Sequence, residues 1–367
     1  MNVLVWNSWV ARPVGGMERV ALELALRLHE RQHRVVLVSA YDNAPELRVR
    51  IPSDMPYYPF DIHQRRVKPH LKAARLLWRV TGEHQIEVIS GHGSMIAPYE
   101  VCRLRGIPLV WTLHGAGDRP QGIIGRLKTA AVGRILAAQT TQVVAVSHAT
   151  AEILRQQFPR LDEARLHVIH NGIITAEPLA ALPLPQPGPP WQLGFIGRLA
   201  ERKRPLDLID IAQKLNGSLD FRIHVFGEGP LLATLRAAIQ QHRLEQRFVL
   251  HGYWDKGSAG MVEQIHLLVH TDSVEPFGGA LLESQLGGRP VVAYRVGGNP
   301  EIVEHGATGW LVPLADTGAL ADGVRVVTSE KFAGMSQAAR ERAARMFSLA
   351  RMTDEYIALF NQACASP

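Results

Sequence analysis

The sequence predicts an α/β protein built from two Rossmann-like domains. The chain of 367 residues is too long for a single ordinary hydrophobic core. Both halves alternate short apolar runs, typical of buried strands, with longer segments that have helical spacing. Residues 175–190 (TAEPLAALPLPQPGPP) are too rich in proline for a regular element. We therefore predict a linker there, between a domain at residues 1–174 and a domain at residues 191–346.

Composition and charge exclude several classes of protein. The net charge of +6 would suit nucleic acid, an anionic membrane surface or a phosphorylated substrate. No zinc-finger spacing, RNP-type motif or basic zipper occurs in the sequence, so nucleic acid is not expected as a partner. Cys102 and Cys364 lack metal-ligand spacing and are expected to be free thiols. With no apolar stretch of about 18 residues and no signal-peptide pattern, the sequence predicts a cytoplasmic protein.

The first domain opens with a predicted βαβ unit. A strand at residues 3–6 is followed by a glycine turn, a helix over residues 17–29 and a strand at residues 35–38. The turn contains Gly15 and Gly16, which either let the backbone approach a phosphate or sugar or simply form a tight turn. Further strands are predicted at residues 86–89, 109–113, 143–146 and 166–169. Ser147 is a predicted N-cap for a helix over residues 148–158, and His114 follows a strand directly.

The segment at residues 65–79 is both basic and amphipathic. Its apolar side chains on one side of a helix are Leu71, Ala74, Leu77 and Trp78. Its cations are Arg65, Arg66, Lys68, Lys72, Arg75 and Arg79. Such a helix lies on an anionic membrane surface or is an ordinary surface helix with a solvated basic side, and the sequence leaves both interpretations open.

The second domain repeats the alternation of strands and helices. Strands are predicted at residues 191–196, 221–226, 248–250, 265–269 and 290–294, and helices mainly over residues 320–344 and in the tail. Arg198 and Lys203 follow the first of these strands. Cations at the end of a strand and before a helix can bind a diphosphate, although a basic surface turn has the same pattern.

Acidic residues and glycine turns mark residues 270–303, where predicted strands end and helices begin. Glu275 lies in the first turn, Pro276 delays the helix until Gly279, and Glu283 lies on that helix. The carboxyl edge of an open parallel sheet is where ligands bind, and helix N-termini there can hold phosphate. Carboxylates beside them can accept hydrogen bonds from sugar hydroxyls. A capping glutamate and a solvated glutamate are the alternative interpretation.

The spacing of Glu275 and Glu283 in EPFGGALLESQLGGRPVVA resembles the E-x7-E motif of the retaining GT-B glycosyltransferases of family 4. The resemblance extends along nearly the whole chain, with its motifs in the family's order. These motifs are GGMER, TLHG, AVSHAT, HNGI, GRLAERK, FGEGP and GGNPE. After HNGI, Ile174 replaces the acidic residue usual in the family, so no function is assigned to that position.

The resemblance implies a GT-B fold, in which two Rossmann-like domains face a central cleft and the last helix, residues 347–367, packs back on the first domain. It also implies a retaining hexosyltransferase that uses a nucleotide-sugar donor, a UDP-sugar in preference to GDP-mannose. The implied acceptor is a glycan or lipid-linked sugar of cell-envelope polysaccharide or lipopolysaccharide biosynthesis. The basic segment would then bring the enzyme to the inner face of the cytoplasmic membrane. No metal or other cofactor is implied, and the sequence has neither an Asp-x-Asp loop nor an evident His/Asp ligand cluster.

The resemblance also assigns roles to particular residues. It implies that Glu275 binds hydroxyls of the donor sugar, that Glu283 binds the ribose, and that Arg198 and Lys203 bind the diphosphate. His114 would lie beside the donor sugar, which makes it the fourth implied catalytic residue with Glu275, Arg198 and Lys203. Other implied donor-binding residues are Gly16, Gly227, Tyr253, Phe277, Gly278 and Gly279. No covalent nucleophile is implied, because retention in the family is explained by front-face attack.

Other functions of a GT-B fold stay open from the sequence. A nucleotide-sugar epimerase binds similar donors, and so does a non-catalytic sugar-nucleotide-binding protein. A phosphorylase would require a lysine that binds pyridoxal phosphate, and the sequence indicates none. The presence of Glu275 and Glu283 together with the basic clamp favours an enzyme over a non-catalytic protein.

Overall fold

The computed structural model describes residues 1–7, 16–60, 69–115, 122–173, 179–254 and 257–365. The chain forms two compact units. The first unit contains Met1–Ile174 and Leu349–Pro367, and the second contains Thr175–Ser348. Each unit has one parallel sheet flanked by helices, so the predicted α/β fold class is confirmed.

The sheet of the first unit has seven strands in the order β3-β2-β1-β4-β5-β6-β7, all parallel. They are β1 (Asn2–Asn7), β2 (Arg34–Ser39), β3 (Tyr57–Pro59), β4 (Val88–His92), β5 (Leu109–Leu113), β6 (Thr141–Ala145) and β7 (Leu166–Val168). Successive residues of β1 enter opposite cores, Val5 on one face of the sheet and Leu4 and Trp6 on the other. Helices cover both faces, which explains why the strands are continuous apolar runs.

Within the described residues of the first unit, six helices precede the linker. They are α1 (Gly16–Glu30), α2 (Pro45–Arg48), α3 (Pro69–Glu83), α4 (Ile96–Arg105), α5 (Gly122–Leu136) and α6 (His148–Gln157). The predicted cap is confirmed, because the Ser147 hydroxyl accepts a hydrogen bond of 3.0 Å from the Thr150 amide at the start of α6.

The second unit has a six-stranded parallel sheet in the order β10-β9-β8-β11-β12-β13. Its strands are β8 (Trp191–Ile196), β9 (Phe221–Phe226), β10 (Phe248–Gly252), β11 (Leu267–His270), β12 (Val291–Tyr294) and β13 (Gly309–Val312). Its helices are α7 (Asp207–Leu215), α8 (Leu232–Gln241), α9 (Gly257–Glu263), α10 (Gly279–Leu286), α11 (Asn299–Ile302), α12 (Thr317–Val327) and α13 (Phe332–Met346). Short 3-10 turns occur at Tyr41–Asn43, Glu163–Arg165, Leu179–Ala181, Glu201–Lys203 and Glu245–Arg247.

The last helix, α14 (Leu349–Ala365), belongs to the first unit. Tyr356 and Phe360 are fully buried in the core of that unit. The Tyr356 hydroxyl forms a 2.8 Å hydrogen bond with the hydroxyl of Thr112 on β5. Phe347, which the sequence grouped with this helix, instead packs against Phe277 in the second unit, with ring centroids 5.9 Å apart.

The proline-rich segment is held by two arginines of the second unit from residue 179 onward. The Arg340 guanidinium donates a 2.6 Å hydrogen bond to the Leu182 carbonyl, and Arg289 donates one of 3.0 Å to the Pro183 carbonyl. Arg289 is almost fully buried, and burial lowers its pKa to about 10. The predicted linker is therefore anchored to the second unit at Leu182 and Pro183.

The buried and exposed sides of the basic amphipathic helix differ from those predicted. In the structure α3 begins at Pro69, and Arg65, Arg66 and Lys68 lie outside the described residues. Leu77 is buried as the pattern predicts. Leu71 and Trp78, predicted on the same side, are 45% and 46% exposed, because Ala73 and Val80 take the core-facing positions beside Leu77. Among the described residues, no helix combines the length and apolarity that crossing a bilayer requires.

Candidate functional site

Most of the predicted site residues lie at the carboxyl edge of the second sheet. Because the strands are parallel, the segments that follow them emerge at one edge. Arg198 follows β8, Gly227 follows β9, Tyr253 follows β10 and Glu275 follows β11. Arg198 and Tyr253 are exposed, and the Arg198 guanidinium makes no hydrogen bond or ion pair with any residue that the structure describes.

Glycines let the turns at this edge approach one another closely. The Gly197 amide donates to the Phe226 carbonyl over 3.0 Å, and the Gly227 amide donates to the Gly252 carbonyl over 2.8 Å. A Cβ atom on Gly227, where φ is +145°, would lie 2.0 Å from the Gly197 carbonyl oxygen. The glycine of the FGEGP motif is therefore required by backbone packing.

A buried ion cluster occupies the turn after β11. The Lys203 ammonium lies 2.5 Å from Oδ2 of Asp272 and 3.1 Å from Oε2 of Glu275. His270 Nε2 lies 3.3 Å from the same Glu275 oxygen. The Asp272 side chain is completely buried, whereas those of Lys203 and Glu275 are 17% and 13% exposed. Glu275 and Lys203 are thus brought together, and Glu275 is the carboxylate that solvent can reach.

The two carboxylates of this cluster respond differently to their surroundings. Burial would raise the pKa of Glu275, but the hydrogen bond from His270 and the charge of Lys203 outweigh burial and hold that pKa well below its usual range. For Asp272, burial has the larger effect, so its pKa is raised despite the opposing charge of Lys203. Glu275 is therefore ionised at neutral pH.

Hydrogen bonds join the turn that carries Lys203 to the turn that carries Glu275. The Thr271 hydroxyl donates to the Lys203 carbonyl over 2.7 Å. The amide and hydroxyl of Ser273 both donate to the Arg202 carbonyl, over 2.8 and 2.9 Å. The ion cluster is consequently fixed through the backbone as well as through its charges.

The residue after Lys203 is fixed by a second buried carboxylate. Arg204 has a left-handed backbone with φ of +46°. Its guanidinium donates two hydrogen bonds, of 2.7 and 3.0 Å, to the carboxylate of Asp207. The buried Tyr294 hydroxyl at the end of β12 donates to the same carboxylate. This network fixes the residue that follows Lys203, and none of these hydrogen bonds involves Lys203 itself.

The start of α10 combines a glycine turn with free backbone amides. Gly278 has φ of +107°, and a Cβ atom there would lie 3.2 Å from Ile302 and 3.5 Å from Glu275. Gly279 begins the helix, and the Leu281 amide already donates to the Gly278 carbonyl over 3.1 Å, so among the described residues the amides of Gly279 and Ala280 are the ones left without an intrahelical partner. The Phe277 side chain is buried against Phe347, so only its backbone could face a ligand. Glu283 lies on α10 with a partly exposed side chain.

One expectation from the sequence was wrong. A His/Asp ligand cluster does exist, because the ligand atoms of His270, Asp272 and Glu275 all lie within 4.8 Å of one another. The sequence concealed it because His270 ends a strand, Asp272 and Glu275 lie in the turn that follows, and the three have no familiar metal-ligand spacing. The ammonium of Lys203, however, already contacts both carboxylates.

The first unit contains the other two predicted residues. Gly16 is the exposed first residue of α1, and the preceding residues of its turn lie outside the described part of the chain. His114 follows β5, and its Nε2 forms a 2.8 Å hydrogen bond with Nδ1 of the buried His92. Burial lowers the pKa of His114 to about 4 and lowers that of His92 well below its usual range. Both rings are therefore neutral at pH 7.

Sequence reasoning missed Asp272, His270 and His92. Each lies at or just past the carboxyl end of a strand, as do the residues that were predicted. The usable signal was a polar residue close behind an apolar run. Asp272 carries this signal, because it lies two residues after the end of β11.

Comparison with protein families matches both halves of the chain. Residues 14–177 match the family described as Glycosyltransferase Family 4. Residues 183–346 match the family described as Glycosyl transferases group 1. Together the two matches leave only the ends of the chain and part of the linker unmatched.

Individual proteins are similar over almost the whole length. The N-acetyl-alpha-D-glucosaminyl L-malate synthase of Bacillus anthracis is 24% identical, over 95% of this chain and 94% of its own. A glycosyltransferase structure from Rickettsia africae ESF-5 has a TM-score of 0.82 at 18% identity and covers 100% of this chain and 98% of its own. The Anabaena HepE structure in complex with UDP and glucose has a TM-score of 0.76 at 20% identity, with 99% and 100% covered. These two structures indicate a shared fold.

Substituting Gly297 should displace Glu275. Gly297 has φ of +47°, and a Cβ atom there would lie 1.9 Å from the Glu275 carbonyl oxygen. We expect Gly297→Ala to lower stability by more than about 1 kcal/mol and to disturb the ion cluster. Gly306→Ala is the matched control, because Gly306 has φ of +83° but open space around its Cβ position. Thermal denaturation of both variants, together with a crystal structure of Gly297→Ala, checks this; an unmoved Glu275 would contradict it.

Proposed function

This chain belongs to the family 4 glycosyltransferases and is a hexosyltransferase of GT-B fold that acts in glycan biosynthesis, and from that premise we propose its reaction. We propose that it transfers a hexose with retention of configuration from a UDP-sugar, without a metal ion, to a glycan or lipid-linked acceptor. The observation that carries the proposal is the Lys203 ammonium, which lies between Glu275 and Asp272 at the edge where α10 begins.

The second unit supplies the groups that a nucleotide-sugar needs. Arg198 is exposed and available to pair with a diphosphate through two donors. The amides at the start of α10 add partial positive charge for a phosphate. Glu275 is ionised and partly accessible, so it can accept hydrogen bonds from hydroxyls of the sugar, and Glu283 is assigned to the ribose.

Independence from metal is supported by the position of Lys203. A divalent cation at His270, Asp272 and Glu275 would have to displace an ammonium that contacts both carboxylates. The charge on the leaving diphosphate would instead be neutralised by Arg198, Lys203 and the α10 amides.

The proposed reaction breaks the bond between the anomeric carbon and the diphosphate. The acceptor oxygen bonds to the same face of that carbon, and its proton passes to the departing phosphate oxygen. Because no protein nucleophile takes part, the residues act by positioning the donor and by stabilising the charge that grows on the phosphate. His114, neutral at pH 7, is assigned to the sugar.

The identities of the donor and the acceptor are supported less directly than the type of reaction. The HepE structure holds UDP and glucose, which favours uridine as the base in this chain too. The name of the Bacillus anthracis relative indicates a sugar joined to malate, so a small hydroxy acid is a competing acceptor class. On α3, exposed Leu71 and Trp78 adjoin the exposed cations Lys72 and Arg75, which favours a lipid-linked acceptor at the cytoplasmic face of a membrane.

The reaction is tested by a donor screen followed by a transfer assay. A donor at 100 times its Kd should stabilise the protein by about 2.7 kcal/mol in a thermal-shift screen of UDP- and GDP-sugars. Glu275→Gln and Glu283→Gln should each fold and weaken donor interactions by roughly 1.5–3 kcal/mol. Glu341→Gln, on the exposed side of α13, is the control. Release of UDP only with an acceptor marks a transferase; a new nucleotide-sugar formed without one would mark an epimerase.

The two clamp cations should differ when they are removed. Arg198→Ala should lower kcat and leave the melting temperature unchanged, because Arg198 is exposed and pairs with no described residue. Lys203→Ala should lower kcat and also destabilise the fold by about 3–5 kcal/mol, since it leaves two carboxylates without their ammonium. EDTA should leave wild-type activity intact. Strict dependence on Mg²⁺ or Mn²⁺ would contradict the proposal.

Membrane association is tested with vesicles. Each basic residue near an anionic surface contributes about 1 kcal/mol, so binding should fall as salt rises and vanish on neutral vesicles. Replacing Arg65, Arg66, Lys68 and Lys72 by Gln should release the protein without changing donor binding. The charge-matched control replaces four exposed arginines of the second unit. These are Arg222, Arg236, Arg243 and Arg345. If the wild-type protein does not bind anionic vesicles at low salt, α3 is an ordinary surface helix with a solvated basic side.

A further inference from the structure

We propose that Asp272 is a positioning residue that acts through Lys203. Its carboxylate holds the lysine ammonium in place and thereby leaves Glu275 available to a ligand. The structural part of this inference concerns Asp272 and Lys203 alone, and its consequence for catalysis rests on the proposed function.

Asp272 cannot contact a ligand itself. Its side chain has no exposed surface, although it lies only three residues before the accessible Glu275. Its Oδ2 is 2.5 Å from the Lys203 ammonium and 3.4 Å from Nη1 of Arg202. A carboxylate with two cations and no access to solvent can influence a bound molecule only by where it holds those cations.

The N–H donors of the Lys203 ammonium have different partners. A lysine ammonium has three N–H groups. One donates to Glu275 over 3.1 Å, and the ammonium nitrogen also forms an ion pair with Oδ2 of Asp272 at 2.5 Å, so at least one N–H remains for a phosphate oxygen. Because Asp272 is buried in the turn, it keeps its contact when a ligand arrives, whereas the partly accessible Glu275 can exchange its contact for a sugar hydroxyl.

Removing the charge of Asp272 would change this division. Lys203 would then have Glu275 as its only carboxylate partner and would pair with it more tightly. Sugar hydroxyls would have to compete with a full positive charge for the Glu275 oxygens, and the phosphate would compete for the ammonium. Removing this charge should therefore lower the turnover of the intact donor.

Asparagine separates this role from a plain structural one. Asp272 Oδ1 also accepts a 3.2 Å hydrogen bond from the Val274 amide, which holds the turn. In Asp272→Asn the amide oxygen can still accept that bond, and the side chain keeps its size. The charge beside Lys203 is removed, and the amide nitrogen that replaces Oδ2 cannot accept from the ammonium.

The ammonium can be observed directly. The chain has only seven lysines, namely Lys68, Lys72, Lys128, Lys203, Lys214, Lys256 and Lys331. In ¹⁵N NMR of the wild-type protein without ligand, we expect Lys203 to give a resolved ammonium signal with slow proton exchange, because it is buried and paired. Lys203→Arg assigns the signal. A rapidly exchanging Lys203 in the wild type would overturn the proposal even if no Asp272 variant folds.

The variants then test what holds the ammonium. In Asp272→Asn the protected signal should be lost or should exchange at least tenfold faster, roughly the factor expected for one charge-assisted hydrogen bond. Asp207→Asn is the control, because it removes a buried, ion-paired carboxylate from the neighbouring turn without touching Lys203. It should lower the melting temperature and preserve the signal. An unchanged signal in Asp272→Asn overturns the proposal.

Activity provides an independent measurement. Asp272→Asn should lower kcat with the identified donor at least roughly tenfold, because the sugar hydroxyls and the charge that grows on the phosphate both compete with a tighter pair of Lys203 and Glu275. A raised KM with unchanged kcat would overturn the catalytic consequence. A wild-type protein that neither binds nor turns over any nucleotide-sugar would refute the proposed function, and the NMR result would still decide the role of Asp272.

Discussion

The second unit depends on one shared cation, the Lys203 ammonium between a buried and an accessible carboxylate. Two carboxylates this close to the core would repel each other and lose hydration, which is costly unless a cation compensates. Lys203 supplies that charge, and the hydrogen bonds from Thr271 and Ser273 hold the turns in position. The two turns, roughly seventy positions apart in sequence, form one structural element because each contributes half of the ion cluster.

The backbone imposes a second constraint. Turns that end parallel strands must pass within van der Waals distance of one another, and glycine permits that at Gly227 and Gly297. At Gly297 the neighbouring group is the carbonyl of Glu275 itself, so the turn after β12 determines where the turn after β11 can lie. The glycines of the sequence motifs are therefore explained here by packing between turns, before any ligand is considered.

Hydrophobic periodicity, together with the glycines and prolines of the turns, predicted much of the fold. Buried strands such as β5, β8 and β9 were located at their observed bounds, because continuous apolar runs between turns have few alternatives. Edge strand β3 was missed because none of its three residues is buried. Strand β13 was missed although three of its four residues are buried, because a run of four residues is too short to show a period. In the site, motif spacing located Glu275 and Glu283. It could not show that Asp272 and Lys203 are partners, because a contact between distant turns depends on strand order, which local patterns do not encode.

Charge balance indicates which groups would attract a diphosphate. Glu275 is ionised, and its negative charge lies 3.1 Å from the Lys203 ammonium. Lys203 by itself therefore gives the edge no excess of positive charge. An anion must therefore be attracted by groups other than Lys203. In the second unit these groups are the exposed Arg198 and the amides at the start of α10. Lys203 is then suited to a later step, because a charge already held in place needs no reorganisation when negative charge grows beside it.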